Sequence, residues 1–409
     1  MSSTTFSNNI GYYGGGVYTS TTCTLIMSGM TFFSNTGRYG GGAMYIATNN
    51  VLTMSASNIT GNVVTTSGHG GGINLVGANI VASIATTYIR NNRAFTTGYG
   101  GGIYAPTVNT VLKLTGCLFY DNVASSGNGN DVKGLGNVIP KSLCADGSYS
   151  AGSGVLDCPT CSEPIAADLM TGSCSSCSSS TGCMGATVCL SSPTFICTTA
   201  VSDQPQLLAL IGTSSSINLV NDILIMTGVT KATFSTGLPV SAITGLTIHG
   251  HGYAIDGATT KRIFYIELGS NIILEDIILK NGYTSSYHGA AIYVTASVLT
   301  LNSVTVKDNS CNSCSGGGVY VNTGASLITT SSVFTNNQAT TSGYGGAVYL
   351  MGGTSLTMTS TTMSSNAGWN GGGAIYASST NTVRLYSCTV TSNVAGAGSS
   401  GGMWVGAAT

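Results

Sequence analysis

The chain has 409 residues, and only 6% of them are charged, with 12 Lys and Arg against 13 Asp and Glu. A typical soluble domain carries about 25% charged residues, so neutral polar groups must solvate this surface. The balance of charge excludes the basic face of a nucleic-acid-binding protein and a long acidic tail. Helix-forming Glu and Lys are scarce while Thr, Val, Ile and Tyr are frequent, which predicts an all-β protein. No apolar run is long enough for a transmembrane helix, and the opening "MSSTTFSNNIG" lacks the features of a signal peptide.

Two motifs recur along the chain with one period. The first is a run of glycines followed by an aliphatic residue and an aromatic one, as in "GYGGGIY" from Gly98 and "SGYGGAVYL" from Ser342. Its aromatic slot falls every 27 to 30 residues within each half, at Tyr18, Tyr45, Asn74, Tyr104, Tyr293, Tyr320, Tyr349, Tyr376 and Trp404. The second motif is an apolar residue followed shortly by Asn. Its Asn slots are Asn8, Asn35, Asn62, Asn92, Asn122, Asn281, Asn309, Asn337, Asn366 and Asn393.

Short alternating runs such as "SLTMTSTTM" separate the motifs and predict strands with one buried face. About three such strands fit into each repeat of about 28 residues, and none of the repeats contains a helical pattern. Repeats of this kind stack on one another, so the sequence predicts a parallel β-helix. Glycines suit its corners, and the Asn side chains can bond from coil to coil in a ladder. His69 and Tyr99 occupy one slot in adjacent repeats, so we expect their rings to stack.

The pairing of "GGAVY" with "FTNN", and of "GGAIY" with "MSSN", resembles the repeats of chlamydial polymorphic outer-membrane proteins. Similar right-handed β-helix repeats occur in many surface proteins, including those of protists. The resemblance covers residues 1–135 and 217–409 and implies a right-handed β-helix. It implies no chlamydial secretion mode, because no autotransporter barrel follows the repeats.

Thirteen cysteines are present, and eight of them cluster in a Ser- and Gly-rich segment. Such clustering predicts a disulfide framework and an oxidising, extracellular setting. The predicted disulfide cysteines are Cys144, Cys158, Cys161, Cys174, Cys177, Cys183, Cys189 and Cys197, with Cys311 and Cys314 as a local bridge. The spacing of Cys158, Cys161, Cys174 and Cys177 approaches that of a zinc ribbon, but the many neighbouring cysteines favour disulfides. The segment resembles the Cys-rich modules that follow β-helices in large protist surface proteins.

Three domains are predicted: a β-helix segment of late coils at 1–140, a Cys-rich disulfide module at 141–204, and a β-helix segment of early to middle coils at 205–409. The chain begins and ends in mid-repeat, and joining Thr409 to Met1 gives nearly one coil. Uncapped β edges invite pairing, and a contact between copies that does not close makes a filament. We therefore expect head-to-tail assembly between copies. The expected interface residues are Met1, Phe6, Asn8, Met403, Trp404 and Thr409. The alternative is that the sequence is an excerpt of a longer polypeptide that repeats the same unit.

No catalytic, cofactor-binding or metal-binding residues are predicted, and no cofactor is expected. The glycine runs lack the Lys-Ser/Thr of a phosphate-binding loop. Polysaccharide-active β-helix enzymes need clustered acids and bases, and paired carboxylates are the minimum for glycoside hydrolysis. The closest candidates for such a cluster are His249, His251, Asp256, Lys261 and Arg262, with Asp276 and Asp308 as further acids. A surface ion pair between Lys280 and Asp308 is the structural alternative.

Asn58 begins the N-glycosylation sequon "NIT", expected at an accessible corner. The favoured function is a structural subunit of an extracellular or cell-surface filament, partnered by itself and by covalent glycans. No enzyme activity, nucleic-acid partner or membrane insertion is expected. The alternatives are an adhesin, or a glycan- or ice-binding module built on regular Thr-x-Thr rows, and a polysaccharide-active enzyme.

Overall fold

The computed structural model describes residues 1–95, 97–107, 109–125, 129–134, 137–144, 155–156, 199–211, 214–224, 230–231, 234–235, 238–396 and 399–406. Nearly all of these residues form coils of short parallel strands, as the period predicted. Each complete coil contributes four strand segments rather than the three expected. The additional segment is the two- or three-residue strand that follows the Asn slot, too short to show an alternating pattern in the sequence.

The first of four stacked sheets holds the longest strands. From one end of the molecule to the other they are Thr199–Val201, Ser216–Leu219, Thr244–His249, Asn271–Glu275, Val298–Asn302, Ser326–Thr330, Ser355–Thr359, Thr382–Tyr386, Thr24–Ser28, Val51–Ser55, Val81–Ala85, Val111–Tyr120 and Asn137–Cys144. Ser2 forms single bridges to Tyr386 and to Ser28, and so fills the level between their strands.

The second sheet is formed by strands of two or three residues that follow the first corner. They are Ile223–Leu224, Ala254–Asp256, Ile278–Lys280, Thr305–Lys307, Val333–Thr335, Thr362–Ser364, Thr389–Thr391, Thr5–Ser7, Thr31–Phe33, Asn58–Thr60 and Tyr88–Arg90, followed by the second half of Val111–Tyr120.

The third sheet follows the Asn slot and the fourth follows the glycine corner. The third contains Tyr283–Ser285, Ser310–Asn312, Gln338–Thr340, Ala367–Gly368, Val394–Ala395, Ile10–Gly11, Thr36–Gly37, Val63–Val64, Arg93–Ala94 and Val123–Ala124. The fourth contains Leu238–Ser241, Phe264–Glu267, Ile292–Val294, Val319–Val321, Val348–Leu350, Ile375–Ala377, Met403–Val405, Val17–Thr19, Met44–Ile46, Ile73–Leu75, Ile103–Ala105, Val132–Gly134 and Val155–Leu156. Thr230–Lys231 and Phe234–Ser235 form a separate antiparallel pair.

The spatial order of the strands does not follow the chain. The coils of residues 199–409, here called the C-block, come first, and the coils of residues 1–144, here called the N-block, continue directly from them. We call the contact between the two blocks the joint. The sequence predicted that these two ends meet, but between copies. In the structure they meet within one chain, because the last coil of the C-block offers the same pairing edge that any interior coil offers.

Alternation of buried and exposed residues forms the core, as in Ser355–Thr359, where Leu356 and Met358 are buried. Along the second sheet one apolar residue per coil stacks on the next, and all of them are fully buried. This column contains Leu279, Val306, Phe334, Met363, Val390, Phe6, Phe32, Ile59, Ile89 and Phe119.

The outer end of the C-block is closed by a helix that the sequence analysis did not predict. Helix α1 (Gln204–Leu210) connects the first two strands of the first sheet, and Leu207 is fully buried in the core there. Its signals were present in the sequence: Asp203 accepts a hydrogen bond from the Gln206 N–H as the N-cap, and Pro205 lies in the first turn. At the opposite end, Val155–Leu156 pairs antiparallel with Val132–Gly134 and ends the parallel stacking.

Candidate functional site: the joint between two blocks

The second, third and fourth sheets continue across the joint in register, and single bridges of Ser2 continue the first sheet. Thr5, Phe6 and Ser7 pair with Thr389, Val390 and Thr391 in the second sheet, and Ile10 pairs with Val394 in the third. Val17, Tyr18 and Thr19 pair with Met403, Trp404 and Val405 in the fourth. Backbone hydrogen bonds run both ways, from Met403 N–H to Gly16 O at 2.9 Å and from Thr5 N–H to Cys388 O at 2.8 Å. The joint is therefore made of ordinary ladder hydrogen bonds.

A ladder of buried asparagines also crosses the joint. Asn393 donates from its backbone N–H (3.1 Å) and from Nδ2 (3.0 Å) to Oδ1 of Asn9. Asn9 in turn donates to Oδ1 of Asn35 at 3.1 and 2.9 Å, and also to Val390 O. The same pair of hydrogen bonds links each member of the ladder to the next. The members are Asn309, Asn337, Asn366, Asn393, Asn9, Asn35, Asn62, Asn92 and Asn122.

Two of the predicted Asn slots are wrong by one position. Asn8 is exposed at a corner with φ of 52°, so it is Asn9 that enters the ladder. Asn281 lies at the equivalent corner, and the backbone of Gly282 takes the ladder position, donating to Asn309 Oδ1 at 2.7 Å. The buried apolar residues fix this register: Asn9 follows Phe6 by three positions, as Asn35 follows Phe32.

Aromatic rings form a second ladder beside the glycine corner. Ring centroids are 4.9 to 5.4 Å apart along Tyr265, Tyr293, Tyr320, Tyr349 and Tyr376. Trp404 lies 4.0 Å from Tyr376 and 6.0 Å from Tyr18, and Tyr18 lies 5.4 Å from Tyr45. Burial raises the pKa of these phenols, to about 12 for Tyr45 and Tyr265. Because neighbouring rings cover one another's faces, the ladder offers mainly ring edges to solvent.

The other predicted interface residues lie as follows. Met1 is half-buried, packs against the core and donates from its ammonium to Ile26 O at 2.8 Å. Burial lowers the pKa of that amine. Phe6 and Met403 are fully buried, and the Phe6 ring stacks on Phe32 at 5.2 Å. Thr409 lies outside the described residues.

Glycine is required where coils approach closely, including at the joint. A Cβ on Gly346 would collide with the carbonyl oxygen of Gly373 in the next coil. A Cβ on Gly401 would collide with Ile10 O, across the joint. The recurring glycine motif is therefore a coil corner, and its copy at Gly401 is fitted to the N-block.

The candidate catalytic residues do not form one site. His249 Nδ1 lies 3.0 Å from Glu275 Oε2, and His251 Nε2 is 2.7 Å from Asn218 Oδ1. Asp256 belongs to the second sheet and accepts two bonds from Asn281 Nδ2. Among the described residues, no three His, Cys, Asp or Glu side chains could together hold a metal ion.

The predicted ion pair between Lys280 and Asp308 is wrong. Lys280 and Lys307 are register partners in adjacent coils, so Lys280 Nζ turns the other way and lies 3.7 Å from Asp256 Oδ2. Asp308 lies at an exposed corner 3.9 Å from Lys307 Nζ. Asp276 is exposed at a different corner, directly after the first-sheet strand Asn271–Glu275.

Arg262 is almost fully buried and serves the packing. Its Nε donates to Gly289 O at 2.9 Å, and its guanidinium lies over the rings of Tyr265 and Tyr293. Burial lowers the pKa of this guanidinium to about 10. Burial, with the charge of Arg262, also lowers the pKa of His288, whose ring stacks on Tyr320 at 4.4 Å.

The rings of His69 and Tyr99 are in contact, 5.1 Å apart, but they are tilted by 36° and do not stack as predicted. Among the other predicted residues, Cys311 and Cys314 form a disulfide, with Cα atoms 5.4 Å apart. The side chains of the remaining predicted disulfide cysteines lie outside the described residues. Asn58 is in a strand and not at the predicted corner, with a half-buried side chain beside the buried Ile59. In the described part of the chain, no helix is long and apolar enough to cross a membrane.

Comparison with known proteins agrees with this geometry. Residues 229–407 match the model of the family described as "Right handed beta helix region". A search of curated proteins returned no match. The matched residues cover most of the C-block, and the N-block continues its sheets in register. The fold of this chain is a right-handed parallel β-helix.

Proposed function

We propose that the chain is a structural subunit of an extracellular filament or surface appendage. The observation that carries this proposal is the Asn ladder, which continues from the C-block into the N-block through Asn393 and Asn9 without a change in geometry. Each buried amide is satisfied by the next coil, so the ladder stiffens the stack along its whole length. The continuous stack of C-block and N-block coils, here called the shaft, transmits force through backbone hydrogen bonds.

Composition supports the same role. With 6% charged residues, the surface carries little charge that would keep copies apart. The disulfide between Cys311 and Cys314 fits an oxidising location, as does the resemblance of the repeats to those of surface proteins. The proposal assigns no catalytic activity to the chain. Of the acid and base candidates, His249 pairs with Glu275 in the first sheet, Asp256 pairs with Lys280 in the second, and Arg262 is buried.

Imaging the source cells tests the proposal. An antibody to the exposed corner around Trp369, which is 55% exposed, should label filaments or a surface layer in electron micrographs of unpermeabilised cells. Labelling confined to the interior of permeabilised cells would contradict it. An N58Q variant in the same host shows by intact mass whether Asn58 carries a glycan.

A second candidate function has one specific observation in its favour. The outward positions of the second sheet carry hydroxyls in register over successive coils, which the sequence analysis did not detect. The first position holds Thr362, Thr389, Thr5 and Thr31, and the third holds Thr335, Ser364, Thr391 and Ser7. With coils about 4.8 Å apart and alternate residues about 6.6 Å apart, these hydroxyls form a regular array suited to an ordered surface such as ice or a crystalline polysaccharide.

Two double variants test this array. T362K/T389K places bulky cations in it, while S355K/T382K places them on the first sheet of the same two coils. If the array binds an ordered surface, only the first variant loses adsorption to ice or to crystalline cellulose. Equal adsorption by wild type and both variants would remove this candidate.

A further inference from the structure

The joint is the one level of the shaft at which the described chain does not pass from coil to coil. Elsewhere each coil continues covalently into the next. At the joint the strands up to Val405 meet strands from Ser2 onward through noncovalent contacts alone. Within this sequence, the covalent connection between the blocks passes through residues 145–198.

That connection leaves from the far end of the shaft. Asn137–Cys144 is the last strand of the first sheet at one end, and Thr199–Val201 is the first strand at the other. At about 4.8 Å per level, the stack between them is roughly 60 Å long. Val155–Leu156 still pairs at the N-block end, so the 42 residues from 157 to 198 must cover this distance when the joint forms within one chain.

A connection of that length can reach, since 42 residues span at most about 140 Å. A random chain of 42 residues has a root-mean-square end-to-end distance of only about 36 Å, which is shorter than the required span. Closing the joint within one chain therefore demands an extended connection. Effective concentration falls when a linker is shorter than the span it must bridge.

We propose that the joint exchanges partners, so that the C-block of one copy receives the N-block of a second copy of this chain through the same contacts. In the exchanged form, residues 145–198 no longer return along the shaft. They connect the N-block end of one shaft directly to the C-block end of the next. Repetition gives a linear chain of shafts, an open form of domain swapping.

The shaft ends themselves favour this route over simple end-to-end stacking. Helix α1, with Leu207 buried, closes one end, and the antiparallel strand Val155–Leu156 ends the sheet at the other. At the joint, in contrast, the strand edges of the C-block and of the N-block hydrogen-bond to each other. Ser400 Oγ donates to Gly16 O at 2.7 Å and Ser7 Oγ donates to Thr391 Oγ1 at 2.9 Å across it. The inference rests on the proposed shaft-forming function and names the partner at its joint.

Two matched full-length variants test the exchange. In one, residues 145–198 are replaced by 54 Gly and Ser residues. In the other they are replaced by about 10, which reach at most about 40 Å and cannot close the joint within one chain. The longer variant should be mainly monomeric at micromolar concentration and should form exchanged oligomers as its concentration rises towards millimolar. The shorter variant should give head-to-tail oligomers with at least a tenfold smaller monomer fraction in analytical ultracentrifugation.

A folded short-linker variant that stays monomeric would overturn the proposal. If that variant fails to fold, full-length chains carrying T5C and T389C separately are mixed, and peptide mapping by mass spectrometry reports on bridges between copies. A disulfide that joins position 5 of one copy to position 389 of the other supports exchange, and its absence at all concentrations overturns it. Exchange in solution without labelled filaments on source cells would leave this inference standing and contradict the proposed function.

Discussion

The joint and the interior of the C-block use the same kinds of contact with two differences. In the first sheet, only single bridges of Ser2 occupy the level at the joint, whereas interior coils pair five-residue strands. The second difference is the spacing of the aromatic rings. Inside the C-block, Tyr349 and Tyr376 stack at 5.2 Å, and Tyr376 and Trp404 at 4.0 Å. Across the joint, Trp404 and Tyr18 are 6.0 Å apart, whereas the Asn393 to Asn9 bonds are as short as those within the block. The Asn ladder therefore continues across the joint with unchanged hydrogen-bond lengths, while the aromatic rings pack less closely there. Covalent continuity is therefore not what makes one coil stack on the next.

The largest expected effect comes from truncating the stacked core phenylalanines. Phe6→Ala at the joint and Phe32→Ala inside the N-block each remove a fully buried ring, at a cost of about 3–5 kcal/mol. Phe6→Ala should open the joint first, whereas Phe32→Ala should destabilise the N-block itself. In a W369F background, Trp404 is the only tryptophan, and its fluorescence reports on the joint during guanidinium unfolding. Equal stability of Phe6→Ala and wild type would contradict the account.

Breaking the Asn ladder should have the next largest effect. Asn9→Leu removes the acceptor of the Asn393 backbone N–H and of one of its two Nδ2 hydrogen bonds. Asn62→Leu does the same to Asn35 inside the N-block. A buried polar group without a partner costs about 1–3 kcal/mol. Both variants should lose a similar amount of stability by chemical denaturation, but only Asn9→Leu should shift Trp404 emission in the W369F background before the main transition. A shift of the same size in Asn62→Leu would show that the joint does not open separately.

Truncating rings of the aromatic ladder should have a smaller effect on stability. Tyr376→Leu removes a ring with neighbours at 5.2 and 4.0 Å, and Tyr18→Leu removes one with neighbours at 6.0 and 5.4 Å. Aromatic pairs contribute about 0.5–1.5 kcal/mol beyond burial. Tyr376→Leu should therefore be the more destabilising by about 1 kcal/mol in thermal or chemical unfolding. The reverse order would show that the joint packs more tightly than the block.

The phenol ladder also predicts alkaline sensitivity in both blocks. Burial raises the pKa of Tyr45 in the N-block and of Tyr265 in the C-block from 10.0 to about 12. Because the pKa of these phenols is higher in the folded state than in the unfolded state, their protonated form stabilises the fold. This contribution is complete below about pH 10 and is lost as the pH rises towards 12. Tyrosinate absorbance should titrate late in the folded protein, together with a fall in melting temperature. Titration of all tyrosines near their ordinary pKa of about 10 with no loss of stability would contradict the burial of the ladder.

The period, the fold class and the meeting of the two chain ends were predictable, because glycine corners, alternating strands and aromatic slots recur in phase. The ladder positions of Asn9 and Gly282 were not predictable from the sequence. Asn occurs at both 8 and 9, and Asn281 precedes Gly282, so each repeat can be aligned in two ways, and only core packing decides between them. Sequence alone also could not separate a joint within one chain from one between copies. The same strand edges are available to both forms of the joint, so the sequence motifs do not distinguish them.

Disulfide trapping at Thr5 tests the central claim most directly. Thr5 has Thr389 as its register partner across the joint and Thr31 as its partner inside the N-block. Neighbouring strands hold Cα atoms about 4.8 Å apart, within the range a disulfide can bridge. If the two blocks form one shaft, T5C/T389C and T5C/T31C should bridge with similar efficiency, as measured by peptide mapping. A bridge in T5C/T31C with none in T5C/T389C, within or between chains, would show that the joint does not exist.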